Sequence, residues 1–254
     1  YPPLLYPNSG SFREVHHLQS AFAGAERVFK LLDEPITLST KDNAQGVEPM
    51  RDGIEFKAVD FAYKDGENGP DWVLKDIDLK IKPGEKVALV GPAGSGKTTI
   101  LKLLNRLYDV QNGSITYDGV DLKELDLAAL RRRFAVVLQD VYLFSGTIRD
   151  NLRLAADVSE EKIKEAAGIV QAADFIAKLP EGYDTEIKEL GANFSAGERQ
   201  LLAFARALVL DPDILVLDEA TSNVDSETEA RLQHALDVLL EGRTALIVAH
   251  RLST

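Results

Sequence analysis

The feature that most constrains this chain is a glycine-rich segment that follows a short apolar run. Residues 86–90 read KVALV, and residues 91–98 read GPAGSGKT, which matches the pattern G-x-x-x-x-G-K-[ST]. After its lysine the run is apolar, as is typical of a strand buried on both faces of a parallel sheet. Helical spacing follows over 98–108. The order of strand, glycine loop and helix predicts a loop that binds phosphate.

Phosphate binding places specific demands on such a loop. Its backbone N–H groups must approach phosphate oxygens closely, so side chains must be absent at the tightest points. The helix that follows offers unpaired N–H groups and the positive end of its dipole to the same anion. We expect Lys97 to add a positive charge near the outer phosphates and the Thr98 hydroxyl to hold Mg²⁺. The alternative is a plain glycine turn between strand and helix, with Lys97 merely solvated.

Composition narrows the class of protein. The chain has 254 residues, of which 45% are hydrophobic and 28% charged, as in an ordinary soluble globular protein with a sizeable core. Its net charge of −12 opposes a non-specific nucleic-acid binder, which needs a basic surface. The lack of cysteine excludes disulfides and thiolate metal sites. No run of about 18 apolar residues and no signal peptide is visible, and the first residue, Tyr1, suggests a fragment of a longer protein.

The N-terminal part of the chain differs from the rest in its pattern of apolar and polar residues. Apolar residues recur at steps of three or four over 11–32, which predicts an amphipathic helix. This helix is expected to end near 33–35, because proline disfavours helix in the residue before it. Residues 36–52 are polar and read as a linker. We therefore divide the chain into a linker segment, 1–48, and a globular domain, 49–254.

The rest of the chain passes from strand patterns to helix patterns and back. The segments are 53–63 and 73–81 (alternating strands), 118–119 (an Asp-Gly hairpin turn), about 141–210 (mostly helical), 214–218 and 244–250 (buried strands) and 226–241 (helical). This order predicts an α/β fold with a mainly parallel sheet, an antiparallel β subdomain and an inserted α-helical subdomain.

Two acidic residues, Asp218 and Glu219, stand at the end of the apolar run ILVLDE. An apolar strand that ends in Asp is the second metal-holding element of P-loop nucleotidases, so we expect Asp218 to hold Mg²⁺, directly or through water. Adjacent residues at a strand end point in different directions, which allows Glu219 to orient or deprotonate the attacking water. The alternative is an acidic cluster that caps the next segment.

The segment FSAGERQ, 194–200, admits two interpretations. Ser195 precedes a helical pattern and Glu198 lies three residues later, as in a capping box, so the segment is explained as an ordinary helix start. The other interpretation is that this helix N-terminus faces a phosphate. The spacing alone does not choose between them.

Several motifs taken together, in their order along the chain, resemble a known family. The phosphate loop, Gln139, FSAGERQ, ILVLDE, SNVD and His250 follow one another as in an ATP-binding-cassette (ABC) ATPase. More narrowly, residues 53–254 resemble the nucleotide-binding domain of an ABC exporter. Residues 12–35 resemble the junction between such an exporter's last membrane helix and its ATPase domain.

The resemblance implies a role for each matched residue. Tyr63 would stack on adenine, whereas its other interpretation is a core tyrosine of a strand. The signature segment around Ser195 would face the γ-phosphate of ATP held by a second subunit, with Asp225 at the dimer seam. The residues implied in catalysis are Glu219, which directs water, His250, which orients Glu219, Gln139 and Lys97. Those implied in ATP contact are Tyr63, Gly91, Pro92, Ala93, Gly94, Ser95, Gly96, Lys97, Thr98, Thr99, Ser195, Ala196, Gly197 and Glu198, and those implied in Mg²⁺ binding are Thr98, Gln139 and Asp218.

The chain departs from the family pattern in two places. The signature of the family is usually LSGGQ, and here residues 194–198 read FSAGE. The methyl group of Ala196 is compatible with a close phosphate only if its φ is negative, and Glu198 brings a carboxylate near a polyanion. The resemblance also implies more sheet and helix after His250 than the chain contains before Thr254.

The function implied by the resemblance is that of an ATPase domain in a membrane transporter. Its partners would be a second ATPase domain, joined head to tail on ATP and Mg²⁺, and a transmembrane domain, with the ATPase at the cytoplasmic face of a cell membrane and no nucleic acid bound. A soluble ABC-type ATPase acting on DNA or ribosomes would need coiled-coil arms or basic patches, and we see neither. A non-hydrolysing nucleotide-gated clamp is favoured by the altered signature and opposed by Glu219. A P-loop kinase would have no use for FSAGERQ.

Overall fold

The computed structural model describes residues 9–66, 69–138, 141–154, 158–218 and 226–249. The chain divides into two units, 1–39 and 40–254. The first unit contains the helix α1 (Ser9–Leu32), which ends just before Pro35 as predicted. Its C-terminal half exposes large apolar side chains, with Phe22 and Phe29 71% and 62% exposed. Within the described residues, no helix has both the length and the apolar character needed to cross a membrane.

The second unit alternates strands and helices. In the described part of this unit the strands are β1 (Ile54–Gly66), β2 (Gly69–Ile81), β3 (Lys86–Val90), β4 (Asn112–Tyr117), β5 (Val120–Asp121), β6 (Phe134–Val137), β7 (Gly146–Thr147), β8 (Glu186–Ile187), β9 (Ile214–Asp218) and β10 (Thr244–Ala249). The α-helices are α2 (Lys97–Leu104), α3 (Leu127–Arg132), α4 (Ile148–Arg153), α5 (Glu160–Ile169), α6 (Ala173–Ile176), α7 (Ala196–Val209) and α8 (Ser226–Leu240).

An antiparallel sheet forms the first part of this unit, in the order β2-β1-β4-β5. The predicted hairpin between β4 and β5 is present, and both of its turn residues, Asp118 and Gly119, have positive φ values of 50° and 79°. Such a pair of values matches the right-handed twist of the strands. The Asp118 carboxylate accepts hydrogen bonds from the N–H groups of residues 51–53, which fastens the start of β1 to the hairpin.

A parallel sheet in the order β3-β10-β9-β6 forms the centre of the unit. Along β9, Ile214 and Val216 belong to one apolar cluster, whereas Leu215 and Leu217 belong to the other. This alternation is the period of two that a strand imposes on its side chains. One face of the sheet therefore packs against α2 and the antiparallel sheet, and the opposite face packs against α4 to α8. The predicted α/β fold with its antiparallel β subdomain is confirmed.

The prediction that β3 is buried on both faces is wrong. In the described chain β3 pairs only with β10 and forms an edge of the sheet. Its residues alternate between exposed and half-buried, and Val90 is 52% exposed. The helix that follows is also shorter than the predicted span 98–108. It ends at Leu104, because Asn105 caps it and Arg106 takes a left-handed φ of 45°.

The inserted α-helical subdomain is also confirmed, because residues 141–210 contain α4, α5, α6 and α7 together with a small two-stranded antiparallel sheet of β7 and β8. Helix α7 is its centre, with Leu201, Leu202 and Phe204 all buried. Around it α4, α5 and α8 contribute to one continuous apolar cluster that reaches the parallel sheet. This packing connects the helix that begins after Ser195 to the strands of the central sheet.

Part of the predicted linker belongs to the second unit. The N–H of Gln45 donates to Glu124 O, and its carbonyl accepts from the N–H of Asp126. Val47 and Met50 pack against the apolar cluster of the antiparallel side. The second unit thus begins at Thr40, whereas the functional division we place between residues 48 and 49 stays a prediction.

Candidate nucleotide-binding site

The glycine loop between β3 and α2 has the backbone shape that its sequence requires. Gly94 and Gly96 have φ values of 81° and 87°, a region that residues with a Cβ rarely adopt. Gly96 caps α2, and a Cβ there would lie 2.5 Å from Leu74 Cδ2. A Cβ at Gly91 would lie 2.8 Å from the Ser95 hydroxyl oxygen. The loop therefore needs glycine for left-handed backbone at positions 94 and 96 and for close approach at positions 91 and 96.

The start of α2 supplies backbone donors next to this loop. Among the described residues no side chain caps the helix, and its first hydrogen bond runs from the N–H of Ile100 to Gly96 O at 3.0 Å. The N–H groups of residues 97–99 come before that bond, where an α-helix leaves its donors without helical partners. Together with the positive end of the helix dipole, these donors suit an anion.

Lys97 is buried within the loop, with 7% of its surface exposed. Its Nζ donates to Gly91 O at 2.8 Å and to Pro92 O at 2.9 Å. Both partners are neutral carbonyls, and among the described residues Lys97 forms no ion pair. A buried charge without a counter-charge is costly, so the loop fits an anionic ligand. A solvated Lys97 on a plain turn does not describe this arrangement.

Asp218 lies at the same edge of the parallel sheet as the loop. Val248 of β10 pairs with Leu89 of β3 on one side and with Asp218 of β9 on the other. With strands about 4.8 Å apart, Asp218 is about 10 Å from the strand that leads into the loop. This edge, at the carboxyl ends of the strands, is where open α/β sheets bind their ligands.

Four of the predicted site residues, Gln139, Glu219, Asp225 and His250, lie outside the described residues. The strands that precede them in the chain are described. Strands β6, β9 and β10 are parallel to each other and end at Val137, Asp218 and Ala249, at the same edge as β3.

Tyr63 lies at the surface of β1 rather than in the core, with 40% of its area exposed. Its hydroxyl is hydrogen-bonded to the Thr99 hydroxyl, 3.0 Å away, in the first turn of α2. Thr99, which we predicted to contact the nucleotide, is itself only 5% exposed. The predicted base-binding tyrosine and the predicted phosphate loop are therefore directly connected through one hydrogen bond.

The segment FSAGERQ forms a complete capping box at the start of α7. The N–H of Glu198 donates to Ser195 Oγ at 3.2 Å, and the N–H of Ser195 donates to Glu198 Oε2 at 2.8 Å. Ala196 is the first helical residue and has no positive φ, which meets the condition set for its methyl group. Ser195 and Ala196 are exposed. Among the described residues, no hydrogen bond joins residues 195–198 to the loop of the same chain.

Gly197 has a packing role that the sequence did not indicate. A Cβ at this position would lie 2.1 Å from the Thr228 Cγ2 atom of α8. The bare backbone of Gly197 therefore lets α7 and α8 approach each other. The partner, Thr228, is remote in sequence and belongs to no motif, so only the glycine itself could have pointed to this contact.

Arg206 connects α7 to the segment that follows Gln139 in the chain. Its guanidinium donates to Tyr142 O at 2.8 Å, to Asn151 O at 3.1 Å and to Asn151 Oδ1 at 3.0 Å. Burial lowers the pKa of Arg206, but the group stays charged because a guanidinium does not deprotonate in proteins. The Asn151 amide in turn bonds both backbone groups of Phe144. Sequence analysis missed this pair, which has no motif spacing.

Comparison with known proteins identifies the family. The family model for the ABC transporter matches residues 74–222. The uncharacterized ABC transporter ATP-binding protein YknV of Bacillus subtilis is 45% identical over 240 residues, which is 94% of this chain and 39% of the relative. The ATP-dependent lipid A-core flippase of Syntrophus aciditrophicus is 45% identical over 93% of this chain and 39% of its own length.

A solved structure shares the fold. A bacterial Atm1-family ABC exporter with ATP bound superposes with a TM-score of 0.79 at 36% identity, covering 92% of this chain and 41% of that one. The chain spans about two fifths of the length of these relatives. The predicted resemblance is confirmed. The chain belongs to the ABC transporter family.

Proposed function

We propose that this domain binds ATP in the loop 91–98, hydrolyses it, and uses the energy to drive export through a membrane domain. The observation that carries the proposal is the buried Lys97, whose described partners are neutral carbonyls, in a loop at the ligand-binding edge of the sheet. The triphosphate would replace those carbonyls as the partner of the ammonium. The exposed Tyr63, whose hydroxyl is bonded to Thr99, would take the base.

A magnesium ion fits the residues at this edge. Thr98 in α2 and Asp218 at the end of β9 are oxygen ligands of the type that Mg²⁺ prefers, and Gln139 would complete the set. When bound, the ion would neutralise charge that develops on the phosphates. Positioning and charge neutralisation carry most of the catalysis in phosphoryl transfer. In this scheme Glu219 orients the attacking water and His250 stabilises the γ-phosphate and holds Glu219.

We further propose that two copies, or this chain and a similar one, close head to tail around two ATP molecules. Two features support this arrangement. Ser195 and Ala196 are exposed at the start of α7, and in the described structure they form no hydrogen bond to the loop of their own chain. The start of the helix is thus exposed to the nucleotide of a facing subunit. The whole transporter would place the domain at the cytoplasmic face of a cell membrane.

The substitution Glu219→Gln tests the proposal. Because the amide keeps the shape of the side chain but not its basicity, the variant should bind ATP and Mg²⁺ and release no phosphate. Trapped ATP should then hold two chains together, doubling the mass measured by light scattering. The matched control is Glu229→Gln on α8, which removes the same charge and should hydrolyse ATP as the wild type does.

The experiment distinguishes an ATPase from a clamp that binds ATP without hydrolysing it. Normal phosphate release by Glu219→Gln would contradict its catalytic role. A wild-type chain that dimerises on ATP without any phosphate release would instead identify a nucleotide-gated clamp. One observation favours that second function: the Glu198 carboxylate already occupies the N–H of Ser195 that a phosphate would need.

A further inference from the structure

The ring of Tyr63 is held in one orientation by its neighbours. Phe61 and Tyr108 stand perpendicular to it, with ring centroids 4.9 Å and 5.2 Å away and interplanar angles of 85°. Its hydroxyl is fixed by Thr99. Perpendicular contacts at these distances are favourable aromatic geometry. The exposed part of the ring therefore has a fixed orientation next to the first turn of α2.

Lys102 completes this arrangement. It lies on α2 after the loop, and its ammonium stands over the Tyr63 ring, 5.2 Å from the centroid. A lysine within about 6 Å of an aromatic face is attracted by the ring quadrupole. In the described structure Lys102 forms no ion pair and no hydrogen bond, and its ammonium contacts the Tyr63 ring. Its position differs from that of Lys97, whose ammonium lies on the loop carbonyls.

We propose that Lys102 is a positioning residue for the nucleotide base, acting through Tyr63. The inference rests on the proposed function, in which Tyr63 stacks on the base. The cation attracts the face of the ring while Thr99 holds its hydroxyl, so the ring keeps one plane before the base arrives. Stacking then costs less ordering of the ring, which favours binding. Lys102 distinguishes a nucleotide from a bare triphosphate, whereas Lys97 recognises both.

Binding of two probes separates this role from a contact to phosphate. MgATP carries a base, and magnesium tripolyphosphate carries the same phosphate chain without one. Lys102→Met keeps most of the length of the side chain and removes its charge. We expect it to weaken MgATP binding about two- to fivefold and to leave tripolyphosphate binding unchanged. Lys102→Arg should restore MgATP binding, because a guanidinium also interacts with a ring face. The control Lys80→Met, on the exposed side of β2, should change neither affinity.

A double-mutant cycle tests whether Lys102 acts through the tyrosine. Tyr63→Leu removes the ring, so adding Lys102→Met to it should cause no further loss of MgATP affinity. Equal losses for MgATP and tripolyphosphate would overturn the inference in favour of a phosphate contact, and so would a Lys102→Met loss that persists in the Tyr63→Leu background. If the wild type binds MgATP and Lys102→Met binds it equally well, the inference alone fails. If the wild type binds neither probe, the proposed function fails with it.

Discussion

Glycines perform two different tasks at the scale of single residues. Gly96 is required for its backbone conformation, because its φ of 87° turns the chain into α2. Gly197 is required for contact, because α8 occupies the space of its missing side chain. The sequence predicted the first role, since the loop pattern encodes a backbone shape. It could not predict the second, because the contact depends on how two distant helices meet.

Replacing Gly96 with alanine should damage both the fold and the site. The left-handed φ costs a non-glycine residue about 1–3 kcal/mol, and the new Cβ would clash with Leu74. Urea unfolding should show this loss of stability, and MgATP binding should fall with it. Gly46→Ala is the matched control, because a Cβ there meets no atom of the described residues within 4 Å. Equal unfolding midpoints for the two variants would contradict the account.

At the scale of elements, apolar runs predicted which residues form strands but not which strands have neighbours. The runs at β3 and β9 look alike in the sequence, yet β9 is interior and nearly fully buried, while β3 forms an edge. Burial depends on strand order, which arises from the crossovers between strands. The length of α2 was likewise overestimated, because the apolar spacing continues after the backbone turns at Arg106.

The contact between α7 and α8 predicts that adding a methyl group at Gly197 lowers stability, whereas the same change at an open helical glycine raises it. Gly197→Ala should destabilise the domain by about 1–3 kcal/mol, the usual range for overpacking, because its Cβ would lie 2.1 Å from Thr228 Cγ2. Gly168→Ala, on the exposed side of α5, adds a Cβ that meets no described atom within 4 Å, and it should stabilise the domain by about 0.5–1 kcal/mol. Thermal melts of both variants provide the measurement. A Gly197→Ala protein as stable as the wild type would show that the helices are not in close contact.

The hydrogen bonds at the start of α4 predict that the stability of the domain depends on pH. The Asp150 carboxylate accepts hydrogen bonds from the N–H and the hydroxyl of Thr147, which lowers its pKa below the ordinary 3.8. A carboxyl whose pKa is lower in the folded state stabilises it above pH 3.8, and this contribution disappears as the pH falls through the folded value. Asp150→Asn should therefore melt below the wild type at pH 7, by a margin that shrinks in acid. A margin that stays constant from pH 7 to pH 3 would contradict this explanation.

At the scale of the whole molecule, the order of strand and helix patterns in the sequence predicted the parallel sheet on which the candidate site is built. Parallel strands bring their carboxyl ends to one edge, so residues far apart in the chain, such as Gly91 and Asp218, come to lie along the same edge. The sequence could not place Ser195 relative to that edge. Ser195 and the edge of the parallel sheet lie in different subdomains. Residues that belong to no motif, such as Arg206 and Thr228, make the contacts that set the position of α7.

The most direct test of the account is to compare the MgATP affinity of this chain with that of Lys97→Ala by titration calorimetry. Loss of one partner from a buried charged contact costs about 2–5 kcal/mol, so the variant should bind at least about 30-fold more weakly. Lys80→Met should bind as the wild type does. A wild type that binds no MgATP, or a Lys97→Ala variant that binds it equally well, would contradict the central claim that the loop after β3 holds a triphosphate.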